Sequence, residues 1–262
     1  MDRILRAVGS DDLKQVVGFV YVACVLGFLF LPILYVVLIG AQGSIVRTVS
    51  DRTIQLAIYD SVVLSVTAGV IATILAILAT RGYRQTSHRK LYLTFMAGPL
   101  FTSGSAHAMP LLVLANAVDA GPSFGLLLLA ETVYVLPFAF FVLLVTVEGI
   151  PRTLLDGARD LGASDVAVFT DIEAPLARDG IISAFLVAFL LTFNEPVRAN
   201  LLGGTFTPLS GYLYAEYSGS GFTQDVYTVN ILFILVAVVV VTVLVLLNLW
   251  RSSVTVDRVQ NE

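Results

Sequence analysis

Long runs without a charged residue constrain this chain more than any other feature. The first, Val16–Ile39, holds 24 residues with no Asp, Glu, Lys or Arg. As a helix it is about 36 Å long, enough to cross a bilayer. Further apolar runs occupy Ser61–Ala79, Leu93–Leu114, Ser123–Val147, Pro175–Glu195 and Val226–Trp250. Only 13% of the residues are charged, against 57% hydrophobic. Such runs satisfy backbone polar groups in lipid only as helices. The expectation is an all-α membrane protein with six transmembrane helices in one domain, residues 16–250. A cytoplasmic segment, 1–15, precedes it and a cytoplasmic tail, 251–262, follows. The first run is too long for a signal-peptide core, so it is expected to be a retained span.

Charge placement fixes the expected orientation. Arg3, Arg6, Lys14, Arg81, Arg84, Arg89, Lys90, Arg152, Arg159, Arg178, Arg251 and Arg258 fall on one side of the six spans. Arg47, Arg52 and Arg198 fall on the other. The positive-inside rule then puts both termini in the cytoplasm, with Trp250 as an interfacial anchor. Pro99, Gly104 and Pro110 interrupt the third run, and Pro137 lies in the fourth. These two spans are expected inside the bundle, where neighbours can satisfy freed carbonyls. Cys24 is the sole cysteine, which rules out a disulfide within the chain, and it is expected to be a small buried hydrophobe. No basic cluster suits nucleic acid. The segment Pro196–Asp225, rich in Gly, Ser, Thr and Tyr, is expected on the outside, as a docking surface or as a plain connection.

The stretch at about 148–179 is the exception to the apolar pattern. Leu154, Leu155, Ala158 and Leu161 recur at helical spacing. Gly162 supplies a helix stop and Ser164 a new N-cap, with Asp165 in the first turn. Val166, Phe169 and Ile172 mark the apolar face of a second short helix, with Phe169 as its knob. Pro175 is read as the first residue of the next span. From Glu148 to Asp179 there are seven acids and three bases. An acidic, ordered loop between spans reads as a docking surface for a protein partner.

This loop resembles the cytoplasmic E-A-A-x-x-x-G…I-x-L-P loop of type I ABC importer permeases. Asp156, Gly157 and Ala158 fall on E-A-A, Gly162 on the glycine, and Ile172 and Pro175 on I and P. Asp156 is one methylene shorter than the family's Glu, Gly157 replaces Ala, and Ala174 replaces Leu. Asp60-Ser61, Pro99, Pro110 and Val135-Leu136-Pro137 are similar to the same family. Thr192-Phe193-Asn194-Glu195 through Pro208, Tyr212 and Tyr214 is similar to its spermidine/putrescine subfamily. The resemblance implies the type I permease fold, with coupling helices seated on a cytoplasmic ABC ATPase dimer. It implies a second permease subunit, an extracytoplasmic solute-binding protein and a place in the cell membrane. ATP and magnesium would be bound by the ATPase, and no cofactor by this chain. The coupling residues it implies are Asp156, Gly157, Ala158, Arg159, Gly162, Val166, Phe169, Ile172 and Pro175.

Polar groups inside spans are costly and point to function. Glu131, Asn194, Glu195, His107 and Asn116 could line one outward-opening path, and two carboxylates there would favour a cationic solute. Glu131 could equally be hydrogen-bonded to a neighbour, and Arg198 could neutralise Glu195. No phosphate-binding GxxxxGK[S/T] motif occurs, so nucleotide is not bound that way. No His/Cys/Asp cluster has metal spacing. Gly121-Pro122-Ser123-Phe124-Gly125 fits G-x-S-x-G. Both histidines, His88 and His107, precede Ser123, and His88 falls on the wrong side of the membrane. Ser123 is therefore expected to cap the fourth span and not to be a nucleophile. The competing class is a secondary transporter or channel that needs no ATPase.

Overall fold

The computed structural model describes residues 10–260, with side chains over 15–243 and at Val245 and Leu246. It is helical, with no strand among the described residues. The helices are α1 (Ser10–Gly40), α2 (Ile45–Ser50), α3 (Arg52–Gln85), α4 (Arg89–Ala97), α5 (Gly104–Ala117) and α6 (Phe124–Glu148). They continue as α7 (Arg152–Asp160), α8 (Asp165–Leu176), α9 (Arg178–Phe193), α10 (Pro196–Leu202), α11 (Leu209–Ser220) and α12 (Gln224–Gln260). Arg3 and Arg6 lie outside the described residues, as do the side chains of Lys14, Trp250, Arg251 and Arg258. The backbone of α12 is continuous through the predicted boundary at residue 250.

α3, α6 and α9 form the packed centre. Ala72, Ala76, Ala139, Ala184 and Ala188 are fully buried on their facing sides. Small residues let helix backbones approach, which drives association where lipid removes the hydrophobic incentive. Phe140, Phe189 and Phe193 fill the remaining space, and Phe193 stacks on Phe233 of α12 at 5.0 Å. α1 lies outside this centre, against α12. Its last carbonyls have no partners within the helix. Gln224 Nε2 donates to Ile39 O at 2.7 Å, and Thr228 Oγ1 donates to Gly40 O at 3.1 Å. Residues 15–35 of α1 are exposed, including Phe19, Phe28 and Leu31. Cys24 is consequently exposed and not buried as expected.

The helix ends sort to two ends of the molecule. Gly40, Arg52, Ser123 and Gln224 share one end, while Gln85, Glu148 and Asp165 share the other. The expected six spans are not six continuous helices. Among the described residues four helices are long and apolar enough to cross a bilayer, or five if the bent pair α8–α9 is one span. The predicted span Leu93–Leu114 is broken into α4, a 3₁₀ turn at Gly98–Phe101, and α5. Pro99 cannot donate to the helix ladder, and Ser103 Oγ opens the new helix by accepting from Ala106 N at 3.2 Å. This span also lies at the edge of the bundle. α4 buries no residue and α5 only Ala108 and Ala115. α6, by contrast, is central as expected.

Three further boundaries moved. α3 starts at Arg52 because Asp51 caps it, accepting from Thr53 N at 2.7 Å. Asp60 and Ser61, at the start of the predicted run, accept from Thr207 N and Leu209 N and so anchor the start of α11. Pro175 does not begin the fifth span. It sits in the last turn of α8, and the chain bends by 73° before α9 starts at Arg178. Pro196–Asp225 is not a plain connection, since it holds α10 and α11 packed on each other.

Candidate functional site

The first candidate site is the loop built by α7 and α8. α7 ends in a Schellman motif. Gly162 N donates to Arg159 O at 2.8 Å and Ala163 N to Ala158 O at 3.1 Å. Gly162 has φ +91°, a conformation that costs an L-residue about 1–2 kcal/mol. Ser164 Oγ then caps α8, accepting from Ala167 N at 3.2 Å. Arg159 ties the two helices together, donating to Asp156 at 2.9 Å and Asp165 at 3.0 Å. The Asp165 hydrogen bond, joined by Asp156, pushes the guanidinium above its ordinary pKa. Gly157 faces open space, where an added Cβ would meet nothing within 4 Å.

The two apolar stripes divide between inside and outside. Leu155 is buried and Ala158 packs on the core, while Leu154 is exposed and Leu161 is 92% exposed. Val166 is 70% exposed, Phe169 is half-buried, and Ile172 packs on the core. The expected single face Val166–Phe169–Ile172 is thus replaced by a buried Val168. A π-helical segment over Val168–Glu173 rotates the phase. Pro175 lacks the N–H that would bond the Asp171 carbonyl, which favours this wider winding.

The loop is fastened to α3. Arg84 donates to Glu173 Oε1 at 3.1 Å and to Ile150 O at 3.1 Å, with Glu148 at 3.8 Å. Arg81 lies over the Phe169 ring at 4.7 Å. Neither arginine was singled out for this role by sequence, because the two loops are far apart in the chain.

The second candidate site is a buried charge cluster between α6 and α10. Glu131 and Arg198 are both fully buried and pair through two 2.9 Å bonds, Nε to Oε1 and Nη2 to Oε2. Arg198 also approaches Glu195 Oε2 at 3.3 Å and lies over the Tyr134 ring at 3.8 Å. His107 meets the same ring edge-on at 5.4 Å. Glu195 caps α10, accepting from Val197 N and Arg198 N. Gly104 at the start of α5 leaves room for this carboxylate, since a Cβ there would come within 2.5 Å of Oε1. Arg198, expected in an outer segment, is therefore the partner of Glu131.

Asn194 and Asn116 do not join this cluster. Asn194 lines a separate cavity of about 360 Å³ with Tyr214, Tyr217 and Asn230. Asn116 is exposed, nine residues or about 13 Å along α5 from His107. Ser123 caps α6, accepting from Leu126 N at 3.4 Å, as expected. Among the described residues no group of His, Cys, Asp and Glu is placed to hold a metal.

The helix order and packing form a fold shared with solved ABC transporter structures. The chain superposes on a bacterial ABC transporter involved in the import of the acidic polysaccharide alginate. The TM-score is 0.68 at 16% identity, covering 92% of this chain and 96% of that one. A bacterial alginate ABC transporter in complex with an alginate pentasaccharide-bound periplasmic protein gives a TM-score of 0.67 at 17% identity. In sequence the chain is 30% identical over 162 residues to the spermidine/putrescine transport system permease protein PotC of Haemophilus influenzae. That match spans 59% of this chain and 61% of the relative. PotC of Escherichia coli (strain K12) is 24% identical over 241 residues, 84% of this chain and 90% of the relative. No family model matches the chain. Both of these relatives are named as transport system permease proteins.

Proposed function

We propose that this chain is the transmembrane subunit of a binding-protein-dependent ABC importer. Both termini and the α7–α8 loop face the cytoplasm. A cytoplasmic ATPase dimer, which binds ATP and magnesium, docks on α7–α8. A second permease, identical or related, completes the pathway, and an extracytoplasmic binding protein delivers a small solute to the other end.

The observation that carries this reading is the ordered α7–Gly162–α8 unit, fixed to α3 through Arg84–Glu173 and continuous with α9 through one bend. A unit so built transmits displacement to spanning helices instead of absorbing it. Closure of the ATPases would push α7–α8 and open the spans outward, and hydrolysis would reset them. Asp156, Arg159 and the exposed Leu161 and Val166 present the contact surface. Phe169, Ile172 and Pro175 hold it in place.

The proposed solute class is a polyamine, supported by the relatives' names. The charge argument is weaker than two free carboxylates would make it, because Arg198 reduces the Glu131–Glu195 pair to a single net negative charge. Asn194 and the tyrosines beside it offer uncharged contacts along the path.

The test is Gly162→Leu in membranes containing the whole transporter. The expected result is unchanged abundance with loss of substrate-stimulated ATP hydrolysis. Retained transport without any co-purifying ATPase would move the reading to an ATPase-independent transporter.

A further inference from the structure

The cavity of about 360 Å³ at the end of α9 is walled by α11 and α12. Its volume is in the ordinary range of small-molecule sites. No charged side chain lines it. Four aromatic rings do: Tyr214 and Tyr217 on α11, Phe222 in the turn that follows, and Phe233 on α12. Tyr214, Tyr217 and Phe222 are exposed, and among the described residues no arginine lies over any of the four rings. Asn194 and Ser210 also line the cavity. Asn194 turns Nδ2 to Leu190 O at 2.9 Å, which leaves Oδ1 to accept. Ser210 gives its only hydroxyl proton to Glu195 O at 3.2 Å, which leaves Oγ to accept. Asn194 is also the C-cap of α9, where a helix carries partial negative charge.

Lipid does not suit this face. Asn194 follows the 16 residues of α9, about 24 Å of helix, and Asn230 lies about 9 Å along α12 from its start. Both amides thus stand at hydrocarbon depth, and neither is buried. An amide turned to hydrocarbon loses its water without gaining a partner. We propose that the cavity is water-filled and binds an alkylammonium ion. Ring faces attract a cation through their quadrupole. Oxygens left to accept favour a ligand that donates, and an ammonium has three donors and no acceptor. A carboxylate or a phosphate would find no cationic partner here. The Glu131–Arg198–Glu195 cluster, which begins at the residue after Asn194, adds one net negative charge. Leu213 and Ile234 complete the wall with apolar surface for a methylene chain. That the bound cation is the transported solute rests on the importer reading; the site itself does not.

The test uses the full chain with whatever subunits co-purify, in detergent, as wild type, as Tyr214→Leu/Tyr217→Leu and as Tyr214→Phe/Tyr217→Phe. Putrescine is titrated calorimetrically, with butanediol as its uncharged counterpart. Substitutions in this chain leave the affinity of a co-purified binding protein unchanged, so only the component they alter is counted. The expected result is saturable putrescine binding, weakened about tenfold by the leucine pair and kept by the phenylalanine pair, with no binding of butanediol. Tyr217→Leu alone, at an exposed side chain, serves if the leucine pair does not fold. Putrescine binding unchanged by the leucine pair, or no ring-dependent binding at millimolar concentration, overturns the site. Equal ring-dependent binding of butanediol overturns the ammonium assignment in favour of a neutral polyol. Loss of a co-purifying permease from the leucine pair, with no putrescine binding by wild type, overturns the site and assigns the rings to a subunit interface. Ring-dependent putrescine binding by a chain that never recovers an ATPase leaves the site standing and removes the importer reading. Recovery of an ATPase without ring-dependent binding does the reverse.

Discussion

Glu131 and Arg198 sit where water cannot reach either charge. Removing one partner leaves the other buried and uncompensated, which costs about 3–5 kcal/mol, whereas removing both costs much less than the sum. Glu131→Gln and Arg198→Met should each lower the melting temperature in detergent strongly, and the double variant should recover much of the loss. Additive losses would show that the two side chains do not act as a pair. The sequence marked Glu131 because an acid inside an apolar run demands a partner. It offered Arg198 only as a neutraliser of Glu195 and not as the partner of Glu131, because Arg198 lies in a stretch of mixed polarity with Asn200, Gly203 and Gly204 close behind. α10 is seven residues long. A helix that short is fixed by the groups it packs against and not by its own periodicity.

At the scale of the element, the π-helical segment decides which apolar side chains face outward. The periodicity rule assumes constant winding, so it assigned Val166, Phe169 and Ile172 to one face and missed Val168. The turn chemistry was legible because it is local. Gly162 at positive φ and Ser164 at the cap follow from what those residues do anywhere. Leu161 exposes an apolar side chain that touches little of its own fold. Leu161→Ser should leave membrane abundance and melting within about 0.5 kcal/mol of wild type while reducing ATPase recovery in pull-downs. A large fall in melting temperature, with recovery per molecule unchanged, would count against a docking role. The broken third span has a related cause. Its hydropathy reads as one run, but Pro99 and Ser103 act on individual hydrogen bonds, which an averaged property does not see.

For the whole molecule, the distribution of basic residues and the sorting of helix ends agree on which loops lie together. The positive-inside rule gives the expected direction across the membrane. Single cysteines at Ser50, Ser87, Ser164 and Ser220, all exposed, in a Cys24→Ser background give that direction. An impermeant maleimide should label positions 50 and 220 in intact cells, and positions 87 and 164 only after permeabilisation. Labelling at 164 in intact cells would invert the topology and remove the ATPase-facing role of α7–α8.

The bend at Ala177 turns α8 into a crank arm. Its 12 residues reach about 18 Å from the elbow, set at 73° to the axis of α9. Turning α9 about that axis by about 10° would sweep the far end of α8 through about 3 Å, roughly the diameter of an atom. Conversely, a push of that size on α8 is geared down to a small twist of one helix in the tightly packed α3–α6–α9 centre. A mechanism so geared trades travel for torque. It suits a partner that moves far with modest force and a pathway that needs only a slight rotation to change which end is open.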